Sequence, residues 1–421
     1  MGDKARETVF SVIRNIFERG AYSNIELANA MKSASLQGKD RAFCALVVNG
    51  VVERALSLDF FISKLSSVPV KKIDKDVLAA LRMGLYQLFY TEVPDNAACN
   101  ESVALIREKS KRGFVNAVLR NACRRREELK EALEVSDSTY RFSVGEDVCR
   151  IIKRDYGEKA EEILGSFFEV NPSILRVNTV RTDKKSLVQR LEAEGAEVCE
   201  AEGAENALIV TKGAPSAIKA CDEGLCFFQG LSSQRAVRAL GAEKGQTVID
   251  MCACPGGKSF GAAVDMGAEG RVFSFDIHAN KLSLITNGAE RLGLSKVIKA
   301  EKQDGRERLD ALLESADRVI CDVPCSGIGA IKGRPEIRYK NFNDLSSLIQ
   351  TQRAIALNGF AYLKKGGVMV YSTCTLNKQE NEDNVKFLLD TEKDAVLLEE
   401  ETVLPTVKHY DGFYIAKILK K

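Results

Sequence analysis

The chain has 421 residues, which is more than one ordinary hydrophobic core accommodates, so two or three domains are expected. Apolar residues make up 45% of the sequence and charged residues 29%, a balance typical of soluble globular proteins. The net charge of +2 is too small to indicate a partner by itself, so evidence for nucleic-acid binding must come from a local cluster of charges.

The start of the chain and its apolar runs argue against secretion and membrane insertion. The charged segment MGDKARET leads into an amphipathic helix, unlike a secretory signal, and Arg6 stands where a myristoylation pattern needs Ser or Thr. No apolar stretch approaches the roughly 20 residues that cross a bilayer. The sequence therefore predicts a cytoplasmic protein with no membrane segment.

The twelve cysteines do not predict a metal centre or a disulfide framework. They are scattered through apolar runs without a CxxC pair, and only His278 and His409 could add imidazole ligands. A structural zinc site usually needs four Cys or His ligands with a tight pair, and a long intracellular chain normally keeps its thiols reduced. We expect no metal, and most of these thiols to be small buried hydrophobic groups.

Residues 1–130 are predicted to form an all-helical domain. Val68-Pro69 and Val93-Pro94 fall at points where helices should stop. Apolar residues recur at three- and four-residue spacing in five segments. These predicted helices cover residues 7–20, 40–65, 74–91, 100–110 and 113–126.

A basic stripe lies near the end of this helical region. Between Val103 and Arg126 there are eight basic residues and one acid, Glu108. Such a stripe suits phosphate contacts, although a solvated helix face is the more usual explanation of a charge run. The candidate RNA contacts in it are Arg112, Arg120, Arg124, Arg125 and Arg126.

Residues 127–134 and the polar stretch 135–147 are predicted to form a linker. Residues 147–232 then mix the two periodicities, which indicates a small α+β module. Its predicted elements are a strand at 174–180, a helix at 184–195 and a strand at 206–212. No residue in this module indicates chemistry by itself.

Strands and helices alternate regularly from residue 233 to the C-terminus. This order predicts a doubly wound parallel sheet, and the last segment, 412–421, is predicted to be an edge strand. The predicted strands are 246–252, 271–276, 296–300, 318–322 and 367–373. The predicted helices between them are 233–240, 258–267, 281–293 and 344–363.

The turn DMCACPGGKSF (250–260) and three acids indicate a nucleoside cofactor. The two glycines of the turn permit close backbone approach, but the turn matches neither a dinucleotide fingerprint nor a P-loop. Asp276, Asp304 and Asp322 follow successive strands, so in an open sheet all three should face one crevice. Each acid alone is more often a cap or turn residue. Together they fit an adenosine cofactor without a long phosphate tail, and S-adenosylmethionine is the natural candidate.

Two cysteines at strand ends suggest covalent chemistry. Cys325 in DVPCSG and Cys374 in YSTCT each follow a predicted strand, so their thiols are expected to face one pocket. A thiolate that adds to carbon 6 of a pyrimidine makes carbon 5 nucleophilic enough to accept a methyl group. Asp322 could accept from the cytosine amino group, and the base would have to leave any stack. The alternative for Cys374 is a buried strand-end thiol.

The motifs resemble those of a known family. DMCACPGGK, DVPCSG and YSTCT, with the acids between them, resemble the RNA cytosine-5 methyltransferases. The segments 21–30, 81–89 and 113–122 resemble the NusB-like domain of the bacterial 16S rRNA cytosine-5 methyltransferases of the RsmB (Sun) type. The resemblance covers nearly the whole chain.

The resemblance implies specific roles. Cys374 matches the nucleophile, Cys325 matches the second cysteine that assists product release, and residues 147–232 match an RNA-recognition-like module. The family target is a cytosine of 16S rRNA, usually position 967, methylated before the small subunit assembles, and no obligate protein partner is implied. The implied S-adenosylmethionine contacts are Cys252, Ala253, Cys254, Pro255, Gly256, Gly257, Lys258, Asp276, Asp304 and Asp322.

Three positions depart from the family pattern. Cys254 stands where a second Ala is usual, and Gly230 stands where an acid is common. Gly333 replaces an Arg that often precedes Arg334, in a loop (331–339) expected to contact RNA or cofactor.

Two other functions fit parts of the sequence. A DNA cytosine-5 methyltransferase would use the Pro-Cys cysteine, Cys325, as its nucleophile, although the helical N-terminal domain and Cys374 argue against this. A non-catalytic RNA-binding or assembly factor would have kept the fold alone, and the intact acids and cysteines disfavour it.

Overall fold

A computed structural model of the protein describes residues 3–19 and 23–421. The chain divides into two compact units. The first comprises residues up to 168 together with 333–341, and the second comprises 169–332 and 342–421. The end of the predicted helix 7–20 and the start of the motif at 21–30 lie outside the described residues.

The first unit is helical, as predicted. Helix α5 is its centre, because its side chains are buried almost continuously from Val77 to Leu88. The Asp74 side chain caps α5 by accepting from the N–H groups of Asp76 and Val77. The helices of this unit are α1 (Asp3–Arg19), α2 (Ser23–Ser33), α3 (Gly38–Glu53), α4 (Ala55–Leu65), α5 (Lys75–Tyr90), α6 (Asp95–Ala104), α7 (Lys109–Arg124), α8 (Arg126–Glu134), α9 (Ser138–Arg141), α10 (Glu146–Tyr156) and α11 (Ala160–Ser166).

Two predictions for this region are wrong. The segment 40–65 forms two helices that meet at Arg54, although its apolar periodicity continues across the break. Residues 127–147 are not a linker, because they contain α8, α9 and the start of α10. Leu129 and Leu133 of α8 pack in the hydrophobic core of the unit, and this burial stabilises the helix. The many charged residues of α8 made the same segment look like a linker in the sequence.

Residues 333–341 stabilise this helical unit. The Tyr339 hydroxyl donates to the Val52 carbonyl (2.5 Å) and accepts from the Ala55 N–H (3.1 Å), so it supplies partners at the break between α3 and α4. Arg338 is fully buried and donates to the carbonyls of Phe142 and Phe167. This part of the 331–339 loop is therefore used in packing.

The second unit contains a four-stranded antiparallel sheet in the order β2-β3-β1-β4. Strands β2 and β4 and helix α13 are absent from the sequence prediction, because β4 is only three residues long and β2 is largely exposed. The elements are β1 (Ser173–Val177), α12 (Lys184–Ala193), β2 (Glu197–Ala201), β3 (Ala204–Lys212), α13 (Ala214–Asp222) and β4 (Cys226–Phe228).

The same unit contains a seven-stranded sheet in the order β10-β11-β9-β8-β5-β6-β7. Strands β5 to β9 are mutually parallel, while β11 runs antiparallel to β9 and β10. The strands are β5 (Thr247–Asp250), β6 (Arg271–Asp276), β7 (Ile298–Lys302), β8 (Ala316–Asp322), β9 (Leu363–Thr373), β10 (Ala395–Val403) and β11 (Phe413–Lys420).

Helices cover both faces of this sheet. Residues of α14, α15 and α16 form a core on one face, and residues of α17 and α18 form a core on the other. The strand order reverses between β5 and β8, which is the switch point where ligands bind in doubly wound sheets. The helices are α14 (Leu231–Leu240), α15 (Gly257–Asp265), α16 (Leu282–Leu292), α17 (Leu345–Ala361) and α18 (Glu382–Thr391).

The prediction that 412–421 is an edge strand is wrong. Strand β11 is hydrogen-bonded on both sides, and β10 forms the edge. The burial of β11 explains its position, because nearly all of its side chains are enclosed. Strand β10 carries the acidic run Glu399–Glu401, in which Glu399 and Glu400 are exposed, and charged residues are common on sheet edges.

The small sheet and the residue after it contact helix α15. Gln229, just after β4, donates to the Gly257 carbonyl (2.8 Å). Arg176 of β1, which is almost fully buried, pairs with Asp265 at the end of α15 (2.6 Å). The first and last turns of α15 are thus both held by the small sheet. Within the described residues, no helix is both long and apolar enough to cross a membrane.

Candidate active site

The two predicted thiols lie side by side at the end of the large sheet. Strands β8 and β9 are parallel neighbours in which Asp322 is opposite Ser372, so the residues that follow both strands emerge at the same edge. Cys325 and Cys374 are both half-buried, and their Sγ atoms are 3.3 Å apart. This distance permits one thiol to donate a hydrogen bond to the other.

The environment of Cys325 keeps its proton in place. Its hydrogen bond with Cys374 and its burial raise the pKa of Cys325 well above the ordinary value, and the negative charges of Glu380 and Asp322 raise it further. Cys325 is therefore a neutral thiol near pH 7.

Asp322 is held at the switch point by two partners. Its Oδ2 accepts from the Lys258 ammonium (2.6 Å) and its Oδ1 accepts from the Ser372 hydroxyl (2.8 Å). A carboxylate oxygen can accept more than one hydrogen bond, so Asp322 keeps acceptor capacity for a ligand. Lys258 was predicted to contact the cofactor, and in the structure its ammonium group donates to Asp322.

The residues of the turn 252–258 are surrounded by acidic side chains. Burial raises the pKa of Cys252, and the charges of Asp250, Asp322 and Asp276 raise it further. The turn and the acids at three strand ends therefore meet in one place. Burial and the Asp276 charge likewise raise the pKa of Cys254 to about 11, so both thiols of the turn remain protonated at neutral pH.

The other two predicted acids differ in their surroundings. Asp276 accepts from the backbone N–H groups of Cys254 (3.2 Å) and His278 (2.9 Å), and these bonds fix its orientation. Asp304 binds the Arg306 guanidinium through both carboxylate oxygens, and this contact lowers the pKa of Asp304. Asp304 is thus already paired within the chain.

Glycine occupies positions 256 and 257 of the turn for different structural reasons. Gly256 has a φ of +110°, and a Cβ there would lie 2.4 Å from the Phe260 ring, so both conformation and packing require glycine. Gly257 begins α15, and a Cβ on it would only touch the Gln229 amide at 3.7 Å. Its missing side chain leaves the first turn of α15 open to a ligand.

These features fit an adenosine cofactor. The N–H groups of the first turn of α15 have no intrahelical partners, and no side chain caps them. Asp276 ends the strand beside β5, where a carboxylate can accept from ribose hydroxyls. The residues present therefore suit S-adenosylmethionine.

Three buried polar side chains at this edge of the sheet were not predicted from the sequence. Asp250 accepts from Ser259 (2.7 Å), and its pKa is raised to about 7, chiefly by burial. Ser372 bonds Asp322, and Glu380 lies fully buried beside the two cysteine loops. The polar run NKQENEDN after the Cys374 strand was the available signal, but a polar sequence does not show that it is buried.

Most of the predicted RNA contacts are engaged within the first unit. Arg112 donates to the Ile106 carbonyl, Arg120 donates to two asparagines, and Arg125 and Arg126 pair with acids. Arg124 is exposed. Arg334, predicted from the 331–339 loop, is also exposed. Within the described ranges, no group of three or more His, Cys, Asp or Glu side chains is arranged to hold a metal ion.

A doubly wound sheet with an open glycine turn and strand-end acids defines a Rossmann-like methyltransferase that uses S-adenosylmethionine. The family model for the 16S rRNA methyltransferase RsmB/F matches residues 237–419. The NusB family matches residues 3–124, and the ferredoxin-like domain of RsmF/B-like methyltransferases matches 148–217.

Known proteins agree with these matches over the full length. The probable ribosomal RNA small subunit methyltransferase B of Bacillus subtilis is 33% identical, over 99% of this chain and 98% of that protein. The crystal structure of PH0851 covers 100% of this chain and 99% of its own, with a TM-score of 0.81 at 21% identity, and supports the fold alone. A methyltransferase homologue from Pyrococcus horikoshii is 26% identical, with a TM-score of 0.61 over 68% of this chain and 98% of its own.

The chain belongs to the RsmB/F family of 16S rRNA methyltransferases. It is accordingly an S-adenosylmethionine-dependent methyltransferase of ribosomal RNA. The predicted fold class is confirmed: a NusB-like helical domain, a small ferredoxin-like module and a Rossmann-like methyltransferase domain.

Proposed function

We propose that the chain methylates carbon 5 of one cytosine of 16S rRNA, the family target at position 967, through a covalent bond from Cys374 to carbon 6. The observation that carries this proposal is the thiol pair, 3.3 Å apart, beside Asp322 at the switch point. A reaction at an unreactive ring carbon needs a nucleophile and a group that stabilises the nucleophile when it leaves, and the pair supplies both.

Cys374 is the attacking thiolate in this reaction. Its Sγ adds to carbon 6 of the base and pushes electrons to carbon 5, which becomes an enamine carbon. S-adenosylmethionine supplies an electrophilic methyl group on a sulfonium. A base must then remove the proton on carbon 5, and its electrons restore the ring double bond as the bond between carbon 6 and sulfur breaks.

Cys325 assists the last of these steps. Its raised pKa keeps it protonated, so it can donate a hydrogen bond to the Cys374 sulfur as that sulfur leaves with negative charge. Stabilising the leaving thiolate in this way lowers the barrier to release of the methylated base. The two cysteines thus divide attack and release between them.

Asp322 recognises the base. A carboxylate accepts from the exocyclic amino group of cytosine, which uracil lacks. Lys258 and Ser372 hold the carboxylate in one orientation while leaving acceptor capacity on both oxygens. The target cytosine has to be turned out of any stack to reach this position.

The other domains bind the RNA. We assign RNA contacts to the basic stripe on α7 and α8 and to Arg334, and the exposed Arg124 supports this. The domain limits we propose, 1–130, 147–232 and 233–421, enclose the ranges matched by the three family models, and the buried α8 extends the helical domain beyond residue 130. An unmethylated rRNA not yet covered by ribosomal proteins is the substrate, so the protein acts in the cytoplasm before the small subunit assembles.

Trapping on RNA that carries 5-fluorocytosine tests the mechanism. Fluorine on carbon 5 replaces the proton that a base would remove, so the elimination step is blocked and the covalent adduct persists. The adduct is seen as a protein–RNA band on a denaturing gel. Wild type and Cys325→Ala should both form this band, whereas Cys374→Ala should form none. On ordinary RNA, Cys325→Ala should accumulate the adduct because release is slowed.

The opposite result identifies the alternatives. Loss of the band in Cys325→Ala but not in Cys374→Ala would make Cys325 the nucleophile, as in DNA cytosine-5 methyltransferases. If wild type neither forms the band nor methylates unmodified 16S rRNA, a non-catalytic role in assembly is favoured. Bisulfite mapping of the methylated rRNA identifies the nucleotide.

A further inference from the structure

A fully buried carboxylate lies between the two loops that carry the cysteines. Glu380 follows β9 and has no exposed surface. Among the described residues, no Lys or Arg forms an ion pair with it. A buried carboxylate without a cation depends on N–H donors for its stability. The donors of Glu380 show what the side chain connects.

Three groups donate to the two oxygens of Glu380. Its Oε2 accepts from the backbone N–H of Ser326 (2.8 Å) and from the Gln352 amide (2.8 Å), and its Oε1 accepts from the Asn377 amide (3.0 Å). Ser326 is the residue after Cys325, and Asn377 lies three residues after Cys374. One carboxylate therefore ties together both cysteine loops and helix α17.

Neighbouring bonds strengthen the same connection. The Gln352 amide also donates to the carbonyl of Pro324, the residue before Cys325 (2.9 Å). The Ser326 and Thr375 hydroxyls are 2.6 Å apart, and the Gly329 N–H donates to the Cys374 carbonyl (3.0 Å). The residues on both sides of Cys325 are thus held from the Glu380 side, while the Cys374 loop is also held by its own strand.

We propose that Glu380 is a positioning residue that holds the Cys325 loop against Cys374 and so enables release of the methylated base. This inference rests on the proposed function, in which Cys325 assists release. Glu380 contacts the Cys325 loop directly through Ser326 and indirectly through Gln352, which also bonds Pro324, whereas it contacts the Cys374 loop through Asn377 alone. Its loss therefore affects release more than attack. The Glu380 charge also contributes to the raised pKa of Cys325.

The variant Glu380→Gln tests this directly. Glutamine has one side-chain oxygen where glutamate has two. In either orientation its NH₂ group therefore faces another donor, and at least one hydrogen bond is lost. We expect kcat for rRNA methylation to fall at least about tenfold, with KM for RNA and the affinity for S-adenosylmethionine within about twofold of wild type. We also expect the covalent band to accumulate on ordinary RNA, as for Cys325→Ala.

Two further variants keep the test independent of folding. Gln352→Met retains Glu380 but removes the bonds to the Pro324 carbonyl and to Oε2, and also the bond that Gln352 accepts from the Asn384 amide. It should shift adduct accumulation in the same direction by a smaller amount. Asp383→Asn is the control, because it removes an exposed charge three residues away and should behave as wild type. Thermal unfolding of each variant establishes that it is folded.

The outcomes separate this inference from the proposed function. If wild type forms no adduct even with 5-fluorocytosine RNA, the covalent mechanism itself fails. If Cys325→Ala accumulates adduct on ordinary RNA while folded Glu380→Gln and Gln352→Met do not, the positioning role is wrong and the mechanism stands. A loss of cofactor affinity equal to the loss of kcat would show a general structural role and would also overturn it.

Discussion

At the scale of single residues, Asp250 gives the fold a specific pH dependence. It is fully buried, and its Oδ2 accepts a hydrogen bond from the Ser259 hydroxyl. Burial raises its pKa to about 7, compared with about 3.9 in an unfolded chain. Below the unfolded pKa the group is protonated in both states, and its stabilising effect is fully present. As the pH rises through 7 this effect is lost, because the unfolded chain has already released its proton.

The variant Asp250→Asn should remove this dependence. We expect it to unfold at a higher temperature than wild type at pH 8, and the advantage should shrink steadily towards pH 5 because wild type gains the proton there. Thermal unfolding from pH 5 to 8 measures the difference, with the exposed Asp383→Asn as the control. A difference between variant and wild type that does not change with pH would contradict the assignment.

The sequence predicted correctly that the thiols and acids of the candidate site lie at strand ends, because each of them follows an apolar run that forms a strand of the parallel sheet. The hydrogen-bond partners of these residues could not be predicted from the sequence. Lys258 in helix α15 and Ser372 in strand β9 both contact Asp322, and contacts between such distant elements depend on tertiary packing. The burial of Glu380 was not predicted either, because a charged residue in a polar run is normally exposed to solvent.

At the scale of secondary-structure elements, the packing of α15 against α16 depends on one glycine. A Cβ on Gly288 would lie 2.4 Å from the Phe260 ring. That ring cannot easily move away, because Gly256 also lies against it and Phe227 packs edge-on against it. Gly288→Ala should therefore destabilise the protein by about 1–3 kcal/mol, although alanine favours helix formation.

Gly113→Ala is the matched control for this prediction. Gly113 lies in α7, is exposed, and has no atom within 4 Å of the position of a Cβ. At this position only the higher helix propensity of alanine acts, so Gly113→Ala should stabilise the protein by about 0.5–1 kcal/mol. Denaturant unfolding of both variants compares them, and equal signs for the two changes would contradict the packing argument.

The break between α3 and α4 provides a second element-scale prediction. Tyr339→Phe removes the hydroxyl that serves the Val52 carbonyl and the Ala55 N–H, so two backbone groups lose a partner. We expect a loss of about 1–3 kcal/mol in the free energy of unfolding. Tyr140→Phe is the control; this side chain is 41% exposed, and the change should be within about 0.5 kcal/mol. A similar loss in both variants would mean that the hydroxyl has no special role.

The elements predicted correctly are those with strong local signals. Apolar periodicity located α5 and α17, and continuous apolar runs located β8 and β9. The errors arose where a distant residue decides the structure. Tyr339 supports a helix break that lies far from it in sequence, and β11 becomes an inner strand only because β10 pairs with its other side.

At the scale of the whole molecule, RNA affinity has to come from local charge, because 61 basic residues are nearly balanced by 59 acidic ones. In the basic stripe, Arg125 and Arg126 form ion pairs with Glu128 and Asp95. These arginines must exchange one partner for another to bind phosphate. The exposed Arg124 has no acidic partner among the described residues, so it should release counterions most directly on binding.

Arg124→Gln should therefore weaken binding to a 16S rRNA fragment and lower the slope of log affinity against log salt by about 1. Arg41→Gln, an equal change of charge at an exposed site on α3, should leave the slope unchanged if the stripe is the contact surface. Filter binding or fluorescence anisotropy at several salt concentrations measures both slopes. Equal decreases for the two variants would mean that net charge, rather than this stripe, controls binding. An unchanged slope for Arg124→Gln alone would remove α7 from the RNA surface.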